Sequence, residues 1–227
     1  METESVRLMR LLQHADSAFP SGAVSFSSGL EGLRNDGLLC DANRLSGALR
    51  ELLQGRFLGA DRILLAAAWQ AAPGVAALCD LDRLAEAATP AREARDASSR
   101  AGAALLGMHR RLGTEGAAGF AEALAAGRAH AHLPVVQGLV WRGAGLTVEE
   151  AVTAAAHAMI AAALSAGLRL GVVGHVAAQQ LHGELRAWLA PRLATPVPPL
   201  DELCPATPLL DIAAMRHETQ EQRLFAS

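Results

Sequence analysis

Two histidines in the middle of the chain have the side chains and the spacing to bind a metal ion. His130 and His132 flank a single alanine shortly before Pro134, in a stretch that is predicted to be a loop. Two imidazoles two residues apart can bind nickel or copper weakly. No carboxylate or third ligand follows closely in the sequence. His130 and His132 are therefore weak candidates for a metal site, and ordinary loop histidines are the simpler interpretation.

The rest of the composition excludes several kinds of catalytic chemistry. All 20 basic residues are arginine, so the chain lacks the lysine of a P-loop, a Schiff base or a lysine general base. A Gly-x-Ser-x-Gly motif is absent, and Cys40, Cys79 and Cys204 are too far apart to form a CxxC pair. Cysteines that are few and widely spaced indicate a reducing, cytoplasmic setting. The formal net charge of −3 argues against nucleic-acid binding.

A stretch rich in small and polar residues lies near the N-terminus. Residues 16–32 read DSAFPSGAVSFSSGLEG, and a helix from Gly22 would place Gly29 and Gly32 on one face. Because glycine costs about 1 kcal/mol in a helix interior, such a face is expected to allow a close approach. Two interpretations stay open: tight packing within the chain, or a surface at which another backbone or a small ion passes.

The elements that position these residues are predicted to be helices. Strand signals are nearly missing, while apolar residues recur with helical period along most of the chain. The clearest helix starts are N-caps at Asp41 and Thr147, the second of which opens a Thr-x-x-Glu capping box. Thr89-Pro90 predicts a further start, and a later helix is predicted to stop at Pro191.

Prolines divide the chain near its C-terminal end. Six of the 10 prolines fall between residues 191 and 208, which predicts an extended segment. We therefore expect an all-α protein with a single globular multi-helix bundle (1–190), a Pro-rich linker (191–207) and a C-terminal docking helix and tail (208–227). Residues 151–173 are long enough to span a bilayer, but they are mostly alanine and contain Arg169. This composition favours a buried bundle helix over a membrane span.

The chain ends on an unusual run of residues. Residues 215–227 read MRHETQEQRLFAS, a dense polar stretch followed by two large apolar residues near the tip. A frayed terminus rarely carries such residues with nothing to bury them. The tail is therefore predicted to dock.

Two motifs together resemble the UreF family of urease accessory proteins. The first is LLQHADSAFPSG at 11–22 with SGLE at 28–31, and the second is PLLDIAAMRHETQEQRLFAS at 208–227. The middle is also similar, with HLPVVQG at 132–138 and the Arg169-Leu170 pair. The resemblance spans essentially the whole chain. It departs from the family pattern at His175, which stands where the family usually has a glutamine.

The resemblance implies an all-helical, non-catalytic and usually dimeric protein. It implies binding to the accessory protein UreD, called UreH in some organisms, and through that assembly to the GTPase UreG. The complex would deliver nickel to the urease apoprotein, with nickel at most a transient ligand of this chain and GTP bound only by the partner. The alternative that the residues leave open is a small all-α metal-dependent enzyme using the His130/His132 loop.

The resemblance also implies functional positions, carried over residue by residue. Those implied to bind partners are Glu31, Arg216, His217, Glu218, Thr219, Gln220, Arg223, Leu224 and Phe225. Those implied to form a family-signature surface are Asp16, Ser17, Pro20, Gly22, Ser28 and Gly29. Glu31, which closes the first motif, is implied to lie on the surface used by UreG.

Overall fold

The computed structural model describes residues 3–19, 28–218 and 225. Within these ranges the chain is all-helical and contains no strand, as the sequence predicts. Its first half comprises α1 (Glu4–Ala15), α2 (Leu30–Asn35), α3 (Ala42–Glu51), a π-helix (Leu52–Asp61), α4 (Arg62–Ala71), α5 (Val75–Ala87) and α6 (Arg92–Arg111). Its second half comprises α7 (Ala117–Ala125), α8 (Leu133–Gly143), α9 (Val148–Arg169), α10 (His175–Leu193), a 3-10 turn (Leu200–Glu202) and α11 (Pro208–His217).

The helix α8 lies at the centre of the bundle. Every residue from 134 to 141 is buried, and the helix packs against α4, α6 and α9. A helix that is apolar on nearly all sides is stable only inside a core. Pro134 lies in the first turn, and Gly143 ends the helix.

The helix α9 accounts for the apolar stretch that is long enough to span a membrane. Among the described residues it is the one helix whose length and composition would allow a crossing. In its most apolar window 56% of the residues are buried within the fold. The helix packs against α1, α8 and α10. This arrangement fits the predicted buried helix of a bundle.

Two predicted N-caps are confirmed. The Asp41 carboxylate accepts a hydrogen bond from the Arg44 backbone N–H at 2.9 Å and begins α3. Thr147 and Glu150 form the capping box of α9, in which each side chain accepts the backbone N–H of the other residue at 3.3 and 2.9 Å. These bonds satisfy N–H groups that have no partner within the first turn of a helix.

The helix start predicted at Thr89-Pro90 is wrong, because α6 begins at Arg92. The Thr89 hydroxyl donates to the Ala85 carbonyl at 2.9 Å and accepts from the Arg56 guanidinium at 2.8 Å. Its side chain therefore closes the end of α5 and is not available to cap the next helix.

The helix end predicted at Pro191 is also wrong, because α10 continues to Leu193. Pro191 lies in the last turn, where a missing N–H removes one hydrogen bond from the helix. The carbonyl of Arg192 accepts from Arg62 Nη1 at 3.0 Å and from the Thr195 hydroxyl at 2.6 Å. These two donors satisfy the helix end beyond the proline, so the extended segment starts later than predicted.

The helix expected to run from Gly22 through Gly32 does not pass through Gly29. Ser28 and Gly29 have φ angles of 52° and 83°, and α2 begins only at Leu30. A side chain at Gly29 would lie 2.6 Å from the Leu210 carbonyl oxygen. Residues 20–27 lie outside the described residues. For the described part of this stretch, the glycines serve close packing within the chain.

The Pro-rich segment lies against the π-helix. The Cys204 N–H donates to the Gly59 carbonyl at 2.9 Å, and the Ala206 N–H donates to the Gly55 carbonyl at 3.3 Å. A Cβ at Gly55 would lie 2.0 Å from the Ala206 carbonyl oxygen, so the two backbones are in direct contact. The segment that precedes α11 is thus hydrogen-bonded to the body at two points.

Two glycine-to-alanine substitutions, one at the contact between α2 and α11 and one at an exposed position of α3, are predicted to have opposite effects on stability. A Cβ at Gly32 would lie 2.4 Å from the Ala213 carbonyl oxygen, so Gly32→Ala forces the helices apart. Overpacking of this kind costs about 1–3 kcal/mol, and Tm should fall by about 3–10 °C in a circular-dichroism melt. At the exposed Gly47 in α3 a Cβ meets nothing within 4 Å, so Gly47→Ala should raise stability by up to about 1 kcal/mol. A higher Tm for Gly32→Ala than for Gly47→Ala would contradict this packing.

Candidate functional site

The two terminal motifs meet where α11 packs on α2. We call this region the signature junction and define it by residues 28–36, 208–218 and 225. On the inner side of α11, Leu210, Ala213, Ala214 and His217 are buried. On α2, Leu30, Glu31, Gly32 and Leu33 are buried. Motifs separated by almost the whole sequence therefore form one packed unit.

A buried imidazole between two buried carboxylates lies at the centre of the signature junction. His217 Nδ1 is 3.1 Å from Glu93 Oε2, and its Nε2 is 3.1 Å from Glu31 Oε2. The three side chains are 1%, 7% and 5% exposed. The Nδ1 contact is a hydrogen bond, whereas the Nε2 contact has the distance of an ion pair without the angle of a hydrogen bond. His217 thus connects α11 to both α2 and α6.

The apolar tip of the tail is also part of the signature junction. Phe225 is 3% exposed, and its backbone N–H donates to Glu31 Oε2 at 3.1 Å. The Arg169 guanidinium lies over the Phe225 ring, with Cζ 4.0 Å from the ring centroid. A cation in this position is attracted by the face of the ring. The N-terminal motif, the C-terminal motif and the Arg169-Leu170 segment therefore converge on one place.

Two ion pairs lie at the rim of the signature junction. Arg216 Nη1 is 3.2 Å from Asp36 Oδ2, and Arg92 Nη2 is 3.1 Å from Glu218 Oε2. Both arginine side chains are well exposed. Exposed ion pairs contribute at most about 1 kcal/mol each, so these contacts position α11 less firmly than the buried cluster does.

The outer side of α11 presents apolar side chains to solvent. Leu209, Ile212 and Met215 are 44%, 49% and 43% exposed. Their spacing of three residues places them along one face of the helix. Sequence reasoning selected the polar residues that follow and missed this stripe, although the spacing is visible in the sequence. It also missed Glu93, because its contact with His217 spans 124 residues and leaves no local pattern.

The predicted partner-binding residues divide into three groups. Glu31, His217 and Phe225 are buried within the chain, while Arg216 is exposed and Glu218 is partly exposed at the rim. Thr219, Gln220, Arg223 and Leu224 lie outside the described residues. In this structure Glu31 and His217 would influence a partner by holding α11 in place. Their role in partner binding stays a prediction.

A cavity of about 890 Å³ lies beside the signature junction. Its lining includes Asp16, Ser17, Ser28 and Gly29 of the predicted family-signature surface, together with Leu210. Asp16 follows α1, and its carboxylate accepts the Ala18 N–H at 2.8 Å in a tight turn. Pro20 and Gly22 lie outside the described residues. The structure therefore brings four of the six predicted signature-surface residues to one cavity.

Two histidines stack at the edge of this cavity. The rings of His14 and His109 have centroids 5.2 Å apart and nearly parallel planes, and Phe19 packs against both. Burial is the main cause that lowers the pKa of both histidines, and it takes that of His109 to about 4. The charge of Arg10 also lowers the pKa of His14, and the charge of His14 also lowers the pKa of His109. Both rings are therefore neutral at pH 7.

The His130/His132 loop is held by carboxylates of α5. Asp82 is fully buried and accepts the backbone N–H groups of His130, Ala131 and His132. His132 is fully buried with Nε2 2.7 Å from Glu86 Oε2, whereas His130 is exposed. Burial lowers the pKa of His132, although Glu86 and Asp82 oppose this effect. In the described part of the chain no three His, Cys, Asp or Glu side chains cluster to hold a metal ion.

Comparison with known proteins adds an independent line of evidence. Residues 39–186 match the family model described as UreF, which is more than half of the chain. A protein of Agrobacterium fabrum named urease accessory protein UreF is 35% identical, over 100% of this chain and 99% of its own. Proteins with the same name from Rhizobium etli and Rhizobium leguminosarum bv. trifolii are 35% and 36% identical, with the same coverage. The family-model match excludes both terminal motifs, whereas the matches to the full-length relatives extend across them.

The buried cluster predicts that Glu31 is needed for stability. Glu31→Ala leaves the Phe225 N–H without its acceptor and removes one carboxylate from His217. Loss of a buried hydrogen-bond partner costs about 1–3 kcal/mol, so Tm should fall by about 3–10 °C. Asp36→Ala removes the partner of the exposed Arg216 and serves as a matched control, with a change below about 1 kcal/mol. Equal melting temperatures for the two variants would show that the cluster does not stabilise the fold.

The stacked histidines predict a loss of stability in mild acid. The pKa of His109 is about 4 in the folded chain and about 6.5 when unfolded, so the unfolded state binds more protons below pH 6.5. The contribution of the neutral, buried His109 to the free energy of unfolding is complete above pH 6.5 and is lost as the pH falls toward 4. Between pH 7 and 5 the loss should be about 2 kcal/mol, measured by urea unfolding. His109→Gln should reduce the slope of the unfolding free energy against pH. His175→Gln, at an exposed position, should leave this slope unchanged. An unaltered slope in His109→Gln would contradict the assignment.

Proposed function

Because this chain belongs to the UreF family of urease accessory proteins, and so has a role in urease maturation, we propose that it is a non-catalytic scaffold of the maturation complex. In this proposal UreD, or UreH in organisms that use that name, binds the signature junction. The resulting assembly recruits the GTPase UreG, regulates it, and inserts nickel into the urease apoprotein. The scaffold acts in the cytoplasm, as a homodimer within the complex.

The observation that carries this proposal is the two-sided character of α11. Its inner side holds the helix against α2 and α6 through Leu210, Ala213 and the His217 cluster. Its outer side exposes Leu209, Ile212 and Met215. A row of exposed apolar side chains flanked by charged residues is typical of a protein–protein contact. We infer that UreD covers this stripe.

The proposal assigns nucleotide binding to UreG because this chain has no lysine. With no lysine in its sequence, it cannot supply the lysine of a P-loop to a nucleotide phosphate. Nucleotide binding and hydrolysis therefore belong to UreG in this proposal. Nickel is the cargo of the complex, and a contact between nickel and this chain would be transient.

The alternative, a metal-dependent enzyme using the His130/His132 loop, has less support from the geometry. The two side chains differ in environment, since His132 is buried against Glu86 while His130 is exposed. The Asp82 carboxylate beside them already accepts three backbone N–H groups of the loop. No specific observation favours catalysis over loop anchoring.

The apolar stripe predicts which substitutions separate binding from folding. The double variant Ile212→Glu/Met215→Glu places charges on the outer side of α11 and leaves its buried side unchanged. After co-expression with UreD and UreG of the same organism, a pull-down on UreD should retain wild-type chain and lose at least nine-tenths of the double variant. The melting temperature of the variant should stay within a few degrees of wild type, because exposed sites contribute little to stability.

Leu112→Glu is the matched control for this experiment. Leu112 is 58% exposed and follows α6, about 28 Å along that helix from Glu93. It should bind UreD like wild type. Full binding of the double variant would exclude the outer side of α11 as the UreD site. A truncation before Pro208 is less informative, because it would expose Leu30 and Leu33 of the core.

A further inference from the structure

We propose that the groove between the π-helix, the end of α10 and the Pro-rich segment binds a small oxyanion, a carboxylate or a phosphate, on the guanidinium groups of Arg62 and Arg192. We call it the arginine groove. It has a volume of about 570 Å³, and its lining includes Arg62, Arg192, Gly59, Pro198 and Cys204. This site is separate from the signature junction and does not depend on the proposed function.

Arg62 is a buried cation that forms no ion pair with a described carboxylate. It is 7% exposed, and burial lowers the pKa of its guanidinium. Nε donates to the Leu58 carbonyl at 3.3 Å, and Nη1 donates to the Arg192 carbonyl at 3.0 Å. No described carboxylate lies within 4.0 Å of it, and three of its five N–H groups have no described acceptor. A buried charge is costly unless it is paired and hydrogen-bonded.

The carbonyl of Arg192 offsets part of this charge. It lies at the C-terminal end of α10, where the helix dipole favours a cation. A helix end carries only about half an elementary charge, so carbonyl capping leaves the guanidinium short of a full counter-charge.

Two further arginines increase the positive charge around the groove. The Arg192 guanidinium lies over the Trp188 ring at 3.9 Å, and Nη1 donates to the Trp188 carbonyl. Arg50 lies 5.6 Å from the centroid of the same ring. Like Arg62, neither forms an ion pair with a described carboxylate. The stacked ring fixes the orientation of Arg192, which lowers the entropy cost of binding a ligand.

The acidic residues of the arginine groove do not neutralise these arginines by direct contact. Glu51 accepts the Leu209 backbone N–H at 3.3 Å, and Glu202 is exposed. Neither lies within 4.0 Å of Arg62 or Arg192. The acceptor that matches the unused donors is a planar or tetrahedral oxyanion, since guanidinium groups bind carboxylate and phosphate in a bidentate manner. The two glutamates limit the charge that the groove tolerates, which favours a small anion.

The test is a titration of the full-length protein with sodium phosphate and, separately, with sodium acetate. Both titrations run from about 0.1 to about 50 mM at ionic strength held constant with NaCl, because a single weak site has a Kd near the millimolar range. Isothermal calorimetry should show one saturable site per chain for at least one anion. At ten times its Kd, that anion should raise Tm by about 3–6 °C. The stronger binder of the two identifies the shape of the natural ligand.

Arg62→Gln removes the charge and should abolish both the saturable binding and the rise in Tm. Arg142→Gln is the matched control, because Arg142 also donates to two carbonyls and lies over a tryptophan ring, but it is exposed and outside the groove. It should bind the anion like wild type, which also corrects for the general stabilisation of proteins by phosphate.

Either of two results would overturn the proposal: no saturable binding of phosphate or acetate by wild type, or unchanged binding by Arg62→Gln. If Arg62→Gln does not fold, Arg192→Gln replaces it, since Arg192 is half-buried and its carbonyl, which accepts from Arg62, is kept. That variant should weaken binding at least tenfold. Unchanged affinity in Arg192→Gln would place the anion outside the arginine groove and would also overturn the proposal.

Discussion

The position of the C-terminal helix depends on an imidazole placed between two carboxylates in the interior. His217, Glu31 and Glu93 are taken out of water together, and each would be costly to bury alone. Each nitrogen of the imidazole lies 3.1 Å from an oxygen of one of the two carboxylates. The arrangement requires α2, α6 and α11 to be in place at the same time. It therefore ties the two ends of the chain to one another and to the bundle.

Small residues make the other contacts of the C-terminal segment possible. Gly55 and Gly59 let residues 204–206 hydrogen-bond to carbonyls of the π-helix, and Gly29 and Gly32 let α11 approach α2. A side chain at Gly55 or Gly32 would lie within 2.5 Å of an opposing carbonyl oxygen. A chain rich in alanine and glycine gains contact area by bringing backbones close together, because it has few large side chains to interlock. The same proximity makes these positions intolerant of substitution.

Features that depend on near neighbours in sequence could be predicted, and features that depend on distant ones could not. The all-α class, the Asp41 cap and the Thr147–Glu150 box follow from local hydrogen bonding and helical period. The helix boundaries at residues 89 and 191 were wrong because Arg56 and Arg62, far away in sequence, contact the residues that decide them. The motifs identified both ends of the chain, but not that Glu31 and His217 face each other in the interior. Glu93 could be found only from the folded structure.

The helix α11 packs on α2 and α6 of its own chain through its buried side. Segments that become ordered only on binding lose conformational entropy at that step and bind with less affinity for the same buried area. A partner that covers Leu209, Ile212 and Met215 would meet a helix face that is held in place by contacts within this chain. These residues lose their conformational entropy when this chain folds. Burial of Leu210 and of the His217 cluster offsets that loss. Association at this face would then not include the entropy cost of forming α11.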